Sequence, residues 1–326
     1  MGSPLTNAFL GSLIADAVAM PVHWYYDVAA LDRDYGRLEG YLEPRNPHPD
    51  SILWRSRYVA PNPKGEILHD QASFWGQRNV HYHQFLVAGE NTVNFKLARE
   101  LYRQTTEAGS YDADAWLATY ISLMRTPGWH RDTYLEEYHR AFFALLARGK
   151  KPRQCGIDDL HIGGLATVPA LVAALDAVGQ DVENSMISTM RTHVRLTHQN
   201  DRVADAASAL TRMLLGIQAG EEVRQVIAEH GGAWLKQAEK MSLMDDRALV
   251  GARYTRACYL PGSFSAALAL AWKYADDFSG GVLANAACGG DSCHRGAVVG
   301  SLLGAALPIA SHWVEGLKVD PQVVLN

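Results

Sequence analysis

Two apolar segments near opposite ends of the chain carry small residues at four-residue spacing, and this pattern constrains the fold more than any other. The positions are Gly11, Ala15 and Ala19 in the first segment and Gly296, Gly300 and Gly304 in the second. Residues four apart lie on one face of a helix, and small side chains there let another backbone approach closely. We therefore predict two helices that pack directly against each other.

Polar residues lie in or beside these two segments. Asp16 and His23 belong to the first, and Asp291 and Cys293 to the second. If the small-residue faces meet, these four side chains come close together. A membrane interpretation of the glycine spacing is excluded by Asp291 and His294 at the start of the second segment, because charged and polar groups are costly in lipid.

The rest of the chain also follows the period of α-helices. Apolar residues recur at helical spacing in segments such as "NFKLARELYRQTTEA", "ADAWLATYISLM" and "DRVADAASALTRMLLGIQAG". Runs of alternating β-branched and aromatic residues, which would indicate strands, are nearly absent. We predict an all-α fold in which residues 1–326 form one compact helical domain.

Residues 35–90 depart from this helical pattern. They include "LEPRNPHPDS" and "VAPNPKGEI", which are rich in proline and turn residues, and four histidines lie between His48 and His83. A loop of this length inside a compact domain usually serves a site or is mobile. Trp54 and Trp75 favour packing, so we predict an ordered lid or insertion over a site.

Charge and composition exclude several kinds of partner. The net charge is −5, with 30 basic and 35 acidic residues, whereas nucleic acids and anionic membranes require a basic face. The four cysteines form no disulfide framework. The N-terminal apolar stretch lacks a basic flank, and no run of about 18 apolar residues indicates a membrane span. We expect a cytoplasmic protein that binds a small molecule; the sequence predicts no oligomeric state.

The segment "GGDSCHRG", Gly289 to Gly296, is the first candidate site. Asp291 or Ser292 would cap the following helix and leave Cys293 and His294 in its first turn. A helix N-terminus lowers the pKa of a thiol and disfavours the imidazolium, so a nucleophile beside a neutral base is one interpretation. A small buried cysteine within a glycine-rich cap is the other.

The segment "HYHQFLVAGENTVN" is the second candidate. His81 and His83 would point the same way on an extended stretch, and Glu90, Thr92 and Asn94 follow before a helix. Two histidines and a carboxylate are suited to a metal ion, with further ligands from the first candidate site. The alternative is that the histidines are structural.

Two further segments contain residues that suit ligand binding. Gly163 and Gly164 in "HIGGLATVPALV" lie at a helix start, where free N–H groups can hold a phosphate or carboxylate. The same glycine pair would equally permit close helix packing. His198 lies on the turn within "RLTHQNDRVADAA" and is predicted to be exposed or to face a site.

Five segments, in this order, resemble the motifs of the ADP-ribosylglycohydrolase family, also called the J1-crystallin-like family. They are "ADAVAMPVH" at 15–23, "TVNF" at 92–95, "GGLA" at 163–166, "LTHQN" at 196–200 and "GGDSCH" at 289–294. The resemblance runs over nearly the whole chain. It implies a compact all-helical domain with its active site where these segments meet, and hydrolysis of an N- or O-glycosidic bond to ADP-ribose.

The resemblance also implies two magnesium ions, but this chain differs from the family at the ligand positions. The replaced positions are His23, Val93, Asn94, Cys293 and His294, where the family has Glu, Asp, Asp, Asp and Thr. Magnesium prefers hard oxygen ligands, so we expect no magnesium centre. Zinc or another transition ion is an alternative, held by a subset of Asp291, His23 and His294 with help from His83 and Cys293.

These replacements favour a metal-independent hydrolase or lyase that cleaves a glycosidic or amide-like bond. In this hypothesis Cys293 is the nucleophile and Asp291 the orienting carboxylate. His23 or His294 is the general base, and Asn94 polarises the substrate. The residues expected to bind a small substrate resembling ADP-ribose are Gly163, Gly164, His198, Asp16, Thr92, His83 and Glu90. Two alternatives stay open: the same chemistry with a transition metal, and a non-catalytic protein that binds a nucleotide or is structural.

Overall fold

The computed structural model describes residues 2–318, and every structural statement below refers to that part of the chain. Its helices α1 to α15 are Pro4–Ala19, Val28–Tyr35, Val93–Ala108, Ala113–Met124, Glu137–Ala147, Val168–Ala177, Glu183–Val194, Asp201–Gln218, Val223–His230, Ala238–Ser242, Asp246–Leu249, Gly262–Lys273, Phe278–Ala287, Ser292–Ala306 and Ser311–Gly316. Residues 2–318 contain isolated β-bridges but no strand. The predicted all-α fold is confirmed.

Helices α1 and α14 pack directly against each other through their small residues. A Cβ added at Gly11 would lie 2.1 Å from the Gly300 carbonyl oxygen, and one added at Gly300 would lie 2.2 Å from the Gly11 carbonyl oxygen. A Cβ at Gly304 would lie 2.6 Å from the Asn7 carbonyl oxygen. Only glycine permits this approach of two backbones, and the predicted pairing is confirmed.

These two helices lie at the centre of the molecule. Thirteen of the 16 residues of α1 and 14 of the 15 residues of α14 are buried, since helices α6, α8, α12 and α13 surround them. A helix buried on every side needs apolar or small residues all round. This explains why the segment Pro4–Val22 has the length and hydropathy of a membrane span although it is 89% buried inside the protein.

Residues 35–90 contain no α-helix beyond the last residue of α2 and form turns, including 3-10 turns at Leu53–Arg55, Pro63–Gly65 and His69–Phe74. The segment supplies Leu53, Val80 and Tyr82, which form a small apolar cluster with Trp24, separate from the main core. His48, His81 and His83 within it are also buried. The segment therefore contributes apolar and histidine side chains to the interior of the protein.

Candidate active site

A glycine turn before α14 positions Asp291. Gly289 and Gly290 have φ of 63° and 64°, a conformation that favours glycine. A Cβ at Gly290 would also lie 2.3 Å from the Arg256 carbonyl oxygen. Asp291 is the N-cap residue of α14, but its side chain makes no capping hydrogen bond. Its carboxylate is therefore left to bind other side chains.

Asp291 Oδ1 accepts hydrogen bonds from two buried imidazoles, at 2.8 Å from His23 Nε2 and 2.6 Å from His294 Nδ1. The packing of α1 against α14 brings these residues together, as the sequence predicted. Burial acts to raise the pKa of Asp291, but the charge of His294 and the hydrogen bonds from both histidines hold it well below its usual value. Asp291 is thus an ionised carboxylate.

His23 continues into a chain of hydrogen bonds that ends at a second buried carboxylate. His23 Nδ1 lies 2.8 Å from His83 Nε2, and His83 Nδ1 lies 2.8 Å from Asp132 Oδ1. Burial lowers the pKa of His23 to about 3, although the hydrogen bond to Asp291 and its charge act to raise it. His23 and His83 thus bridge Asp291 and Asp132 through three short polar contacts.

His294 links Asp291 to a third buried carboxylate, Glu136. Its Nδ1 faces Asp291, and its Nε2 lies 3.2 Å from Glu136 Oε1. Burial acts to lower the pKa of His294, but the charge of Asp291 and the hydrogen bonds to Asp291 and Glu136 raise it to about 10. The prediction of a neutral base at this position is wrong, because two carboxylates outweigh the helix N-terminus.

Cys293 is fully buried between α1 and α14. Its Sγ–H donates to the backbone carbonyl oxygen of Asp16 at 3.6 Å. Burial, followed by the charge of Asp16, raises the pKa of the thiol well above its usual value. The predicted lowering of this pKa is wrong, because removal of the thiolate from water outweighs the helix N-terminus. The contacts give Cys293 a packing role.

Asn94, in the first turn of α3, binds its neighbours. Its Nδ2 donates to Glu136 Oε1 at 3.0 Å, and its Oδ1 lies 2.8 Å from the Tyr138 hydroxyl and 2.9 Å from His139 Nε2. The Asn94 amide and His294 thus converge on the same oxygen of Glu136. These contacts make Asn94 a positioning residue for Glu136. They leave no open face of its amide, which contradicts the prediction that Asn94 polarises a substrate.

A pocket of about 330 Å³ adjoins this cluster. Its aromatic walls are formed by Trp24, Tyr26, Tyr82, Tyr134 and Tyr259. Its acidic residues are Glu136, Glu137, Asp158 and Asp159, and the remaining polar side chains belong to His161 and Cys258. Among residues 2–318, no lysine or arginine lines it.

Glu136 and His161 connect the pocket with the buried cluster. Glu136 lines the pocket, and its Oε2 has no hydrogen-bond partner among the described residues. Asp291 Oδ2 also lacks a hydrogen-bond partner within residues 2–318 and lies 3.9 Å from His161 Nε2. A buried carboxylate oxygen without a partner costs free energy. Both oxygens are buried, one on Glu136, which lines the pocket, and one on Asp291, which does not.

His161 presents an N–H group to Asp291. Its Nδ1 accepts a hydrogen bond from the Gly163 N–H at 2.9 Å, so we assign the proton of the neutral ring to Nε2. Burial lowers the pKa of His161 even though the charge of Asp291 acts to raise it. His161 is thus a neutral donor at the boundary between the pocket and the cluster.

The magnesium centre that the family resemblance implies does not fit these residues. Both oxygens of Asp16, the acidic residue of the first motif, are occupied. Oδ2 accepts from Asn91 Nδ2 and the Thr92 N–H, each at 2.9 Å, and Oδ1 accepts from Thr92 Oγ1 at 2.8 Å. Val93 offers no ligand atom, and the Asn94 oxygen contacts protein groups.

Two groups of three donors lie close enough together to hold another metal ion. The first group is His23, Asp291 and His294, and the second is His161, Cys258 and Asp291. In the first group, the donor atoms are separated by hydrogen-bond distances of 2.6 and 2.8 Å, shorter than the roughly 3.3 Å between ligands of tetrahedral zinc. In the second, Nε2 of His161 carries the proton. Neither arrangement matches a formed zinc site.

Three residues predicted to bind substrate lie outside the pocket. Gly163, Gly164 and His198 line a separate cavity of about 40 Å³, which is far too small for a nucleotide. The N–H groups of both glycines already donate to His161, and a Cβ at Gly164 would lie 2.7 Å from Val203 Cγ1. These contacts contradict the predicted anion site and assign the glycine pair to close packing.

The other predicted substrate-binding residues also have structural partners. Asp16 and Thr92 tie α1 to the start of α3 through the hydrogen bonds described above. Glu90 pairs with Lys96 at 2.7 Å and with Arg131 at 2.8 Å. Of this predicted set, His83 lies within the cluster, where it extends the hydrogen-bond chain from His23.

Sequence reasoning missed Asp132, Glu136 and His161. Glu136 precedes α5 in the segment "DTYLEEYHRAFF", which has the pattern of an ordinary amphipathic helix. The available signal was the three-residue spacing of Glu136 and His139, which places the two on one helical face. Asp132 lies in the loop before α5, and His161 directly precedes the segment with the glycine pair.

Comparisons with known proteins agree with the motifs. The sequence model of the ADP-ribosylglycohydrolase family matches residues 4–324, so the chain belongs to the ADP-ribosylglycohydrolase family. Crystallin J1A of Tripedalia cystophora is 25% identical over 329 residues, covering 97% of this chain and 92% of that protein. A solved structure of an ADP-ribosylglycohydrolase-related protein complex has a TM-score of 0.61 at 20% identity, covering 99% of this chain and 94% of that chain.

Proposed function

We propose that this protein is a metal-independent hydrolase that cleaves a glycosidic or amide-like bond at the pocket of about 330 Å³. The observation that supports this proposal is the pair of buried carboxylates, Asp291 and Glu136, which His294 holds in place. Each of the two has one oxygen without a hydrogen-bond partner within residues 2–318. Family membership supports the same class of reaction.

The proposed reaction assigns a separate task to each carboxylate. Asp291 Oδ2 takes a proton from water as the water oxygen bonds to the reacting carbon. Glu136 Oε2 stabilises the positive charge that develops on that carbon. The leaving group departs with the bonding electron pair and takes the proton of His161 Nε2. Protonated Asp291 then returns a proton to His161, so water is consumed and both carboxylates are restored.

The test follows release of the sugar from ADP-ribosylated proteins and from small N- and O-glycosides in buffer containing EDTA. We expect turnover by the wild-type protein without added metal. Asp291→Asn and Glu136→Gln keep the shape of each side chain but remove its basicity, and each should lower kcat about 100-fold or more. Turnover that appears only when magnesium or zinc is added would contradict the proposal.

A non-catalytic role is the second candidate, supported by the match to Crystallin J1A over 97% of this chain. In that case the carboxylate and histidine cluster would stabilise the fold and the pocket would bind a ligand without cleaving it. Binding of ADP-ribose or a related compound, with no turnover of any compound in the same set, would favour this candidate. We retain the cytoplasm as the proposed location.

A further inference from the structure

The aromatic residues of the pocket form a compact ring cluster. Trp24 lies 4.8 Å from Tyr82 and 5.1 Å from Tyr134 between ring centroids, and Tyr82 lies 5.2 Å from Tyr134, all edge to face. Tyr26 and Tyr259 continue the aromatic lining and are 43% and 55% exposed. A ligand entering the pocket therefore meets aromatic side chains from the surface inward, a feature that bond hydrolysis does not itself require.

The charged side chains of the pocket all have one sign. Glu137, Asp158 and Asp159 line it, and none of them forms an ion pair within residues 2–318. Asp158 accepts from the neutral amide of Asn200, and Asp159 accepts from the backbone N–H of His161. Asp158 also lines a neighbouring groove that contains arginines, so Glu137 and Asp159 carry the negative charge that is confined to this pocket.

A buried acceptor lies at the inner end of this lining. Glu136 is 4% exposed, and its Oε2 has no hydrogen-bond partner in the described part of the chain. His139 Nε2 lies 3.8 Å away, beyond hydrogen-bond distance. Burial acts to raise the pKa of Glu136, but the hydrogen bond and charge of His294 lower it below its usual range. The free oxygen is thus an anionic acceptor for a donor group.

We infer that the group seated in this pocket is a small organic cation. Aromatic faces attract cations, and the negative charge of the surrounding carboxylates attracts them further. A phosphate group would instead meet repulsion and find no basic partner in the lining. A catalytic role for this cation rests on the proposed function. In that case the cation is the whole substrate, or the part of the substrate that binds beside Glu136.

Binding is tested on the purified full chain by calorimetry, with matched pairs of charged and neutral probes. The pairs are choline with 3,3-dimethylbutan-1-ol, and 1-methylpyridinium with toluene, and ADP-ribose is titrated separately. We expect at least one cation to bind about tenfold or more tightly than its neutral partner, with affinity that falls as salt rises. If neither cation binds more tightly than its neutral partner, the inference is overturned.

Two variants locate the binding. Asp159→Asn removes a charge but keeps an oxygen for the His161 N–H, and Tyr26→Leu removes an exposed ring. Each should weaken cation binding about fivefold, whereas Asp181→Asn, an exposed residue outside the pocket, should leave it unchanged. If both pocket variants keep the wild-type melting temperature and the wild-type affinity for the cation, the inference is overturned.

The same measurements separate this inference from the proposed hydrolysis. Cation binding without turnover of any substrate would support the inference and contradict the hydrolase proposal. Turnover of ADP-ribosylated compounds without cation binding would support the hydrolase and overturn the inference.

Discussion

At the residue scale, the positive charge of His294 is what allows two carboxylates, Asp291 and Glu136, to be buried near one another. Isolated buried carboxylates are costly in free energy, and they persist in proteins when they are paired and hydrogen-bonded. His294 contacts Asp291 on one ring nitrogen and Glu136 on the other. His23 and His83 connect Asp291 with Asp132 through hydrogen bonds.

Protonation of His294 makes stability depend on pH. Its pKa in the folded protein is raised from 6.5 to about 10, so the folded state binds one proton more than the unfolded state between these values. The stabilisation is complete below pH 6.5 and is lost as pH rises toward 10, by up to about 1.4 kcal/mol per pH unit.

Denaturant unfolding of the wild-type protein across this pH window measures the effect. His294→Gln should abolish most of the slope, and His312→Gln, at an exposed histidine, should leave it intact. Equal slopes in the wild-type protein and His294→Gln would show that the proton resides elsewhere.

Cys293 gives a second prediction at this scale. The Cys293 thiol is buried and its pKa is raised. On a substrate that the wild-type protein turns over and Asp291→Asn does not, Cys293→Ala should therefore keep kcat within about threefold of the wild-type value. The loss of packing should cost about 1 kcal/mol of unfolding free energy. A Cys293→Ala protein of normal melting temperature without activity would instead make the thiol catalytic.

At the scale of elements, the contact between α1 and α14 depends on backbone approach. Gly300→Ala places a Cβ 2.2 Å from the Gly11 carbonyl oxygen, and neither backbone can move without disturbing the helices around it. We expect a loss of about 3 kcal/mol or more in unfolding free energy. Gly40→Ala is the matched control, because its Cβ would meet no atom within 4 Å. Equal melting temperatures for the two variants would contradict the close packing.

The same two helices show what the sequence could and could not predict. Four-residue spacing is local, so the pairing of α1 with α14 and the meeting of His23 with Asp291 could be inferred from the sequence. The pKa values of Cys293 and His294 could not, because both depend on burial, and that of His294 depends also on Glu136. Glu136 lies 158 residues from His294 along the chain and has no motif of its own.

At the scale of the whole molecule, the cluster contains residues at motif positions where the family resemblance implied ligands of two magnesium ions. Magnesium that bound the folded protein would stabilise it by mass action, by about 2.7 kcal/mol at a concentration 100-fold above the dissociation constant. Since the Asp16 oxygens are occupied by Asn91 and Thr92, we expect magnesium at about 5 mM to shift the melting temperature by less than about 1 °C. EDTA at the same concentration is the control, and a rise of several degrees with magnesium would contradict the expectation.

The packing of α1 against α14 also has a consequence for synthesis on the ribosome. The helix Pro4–Ala19 is synthesised about 270 residues before its partner, Ser292–Ala306. At roughly 5–20 residues per second, the nascent chain carries α1 without that partner for about 15 seconds or longer. During this interval an apolar helix is exposed to other chains and to chaperones. A chain released before α14 is complete leaves α1 without its cover and is expected to aggregate.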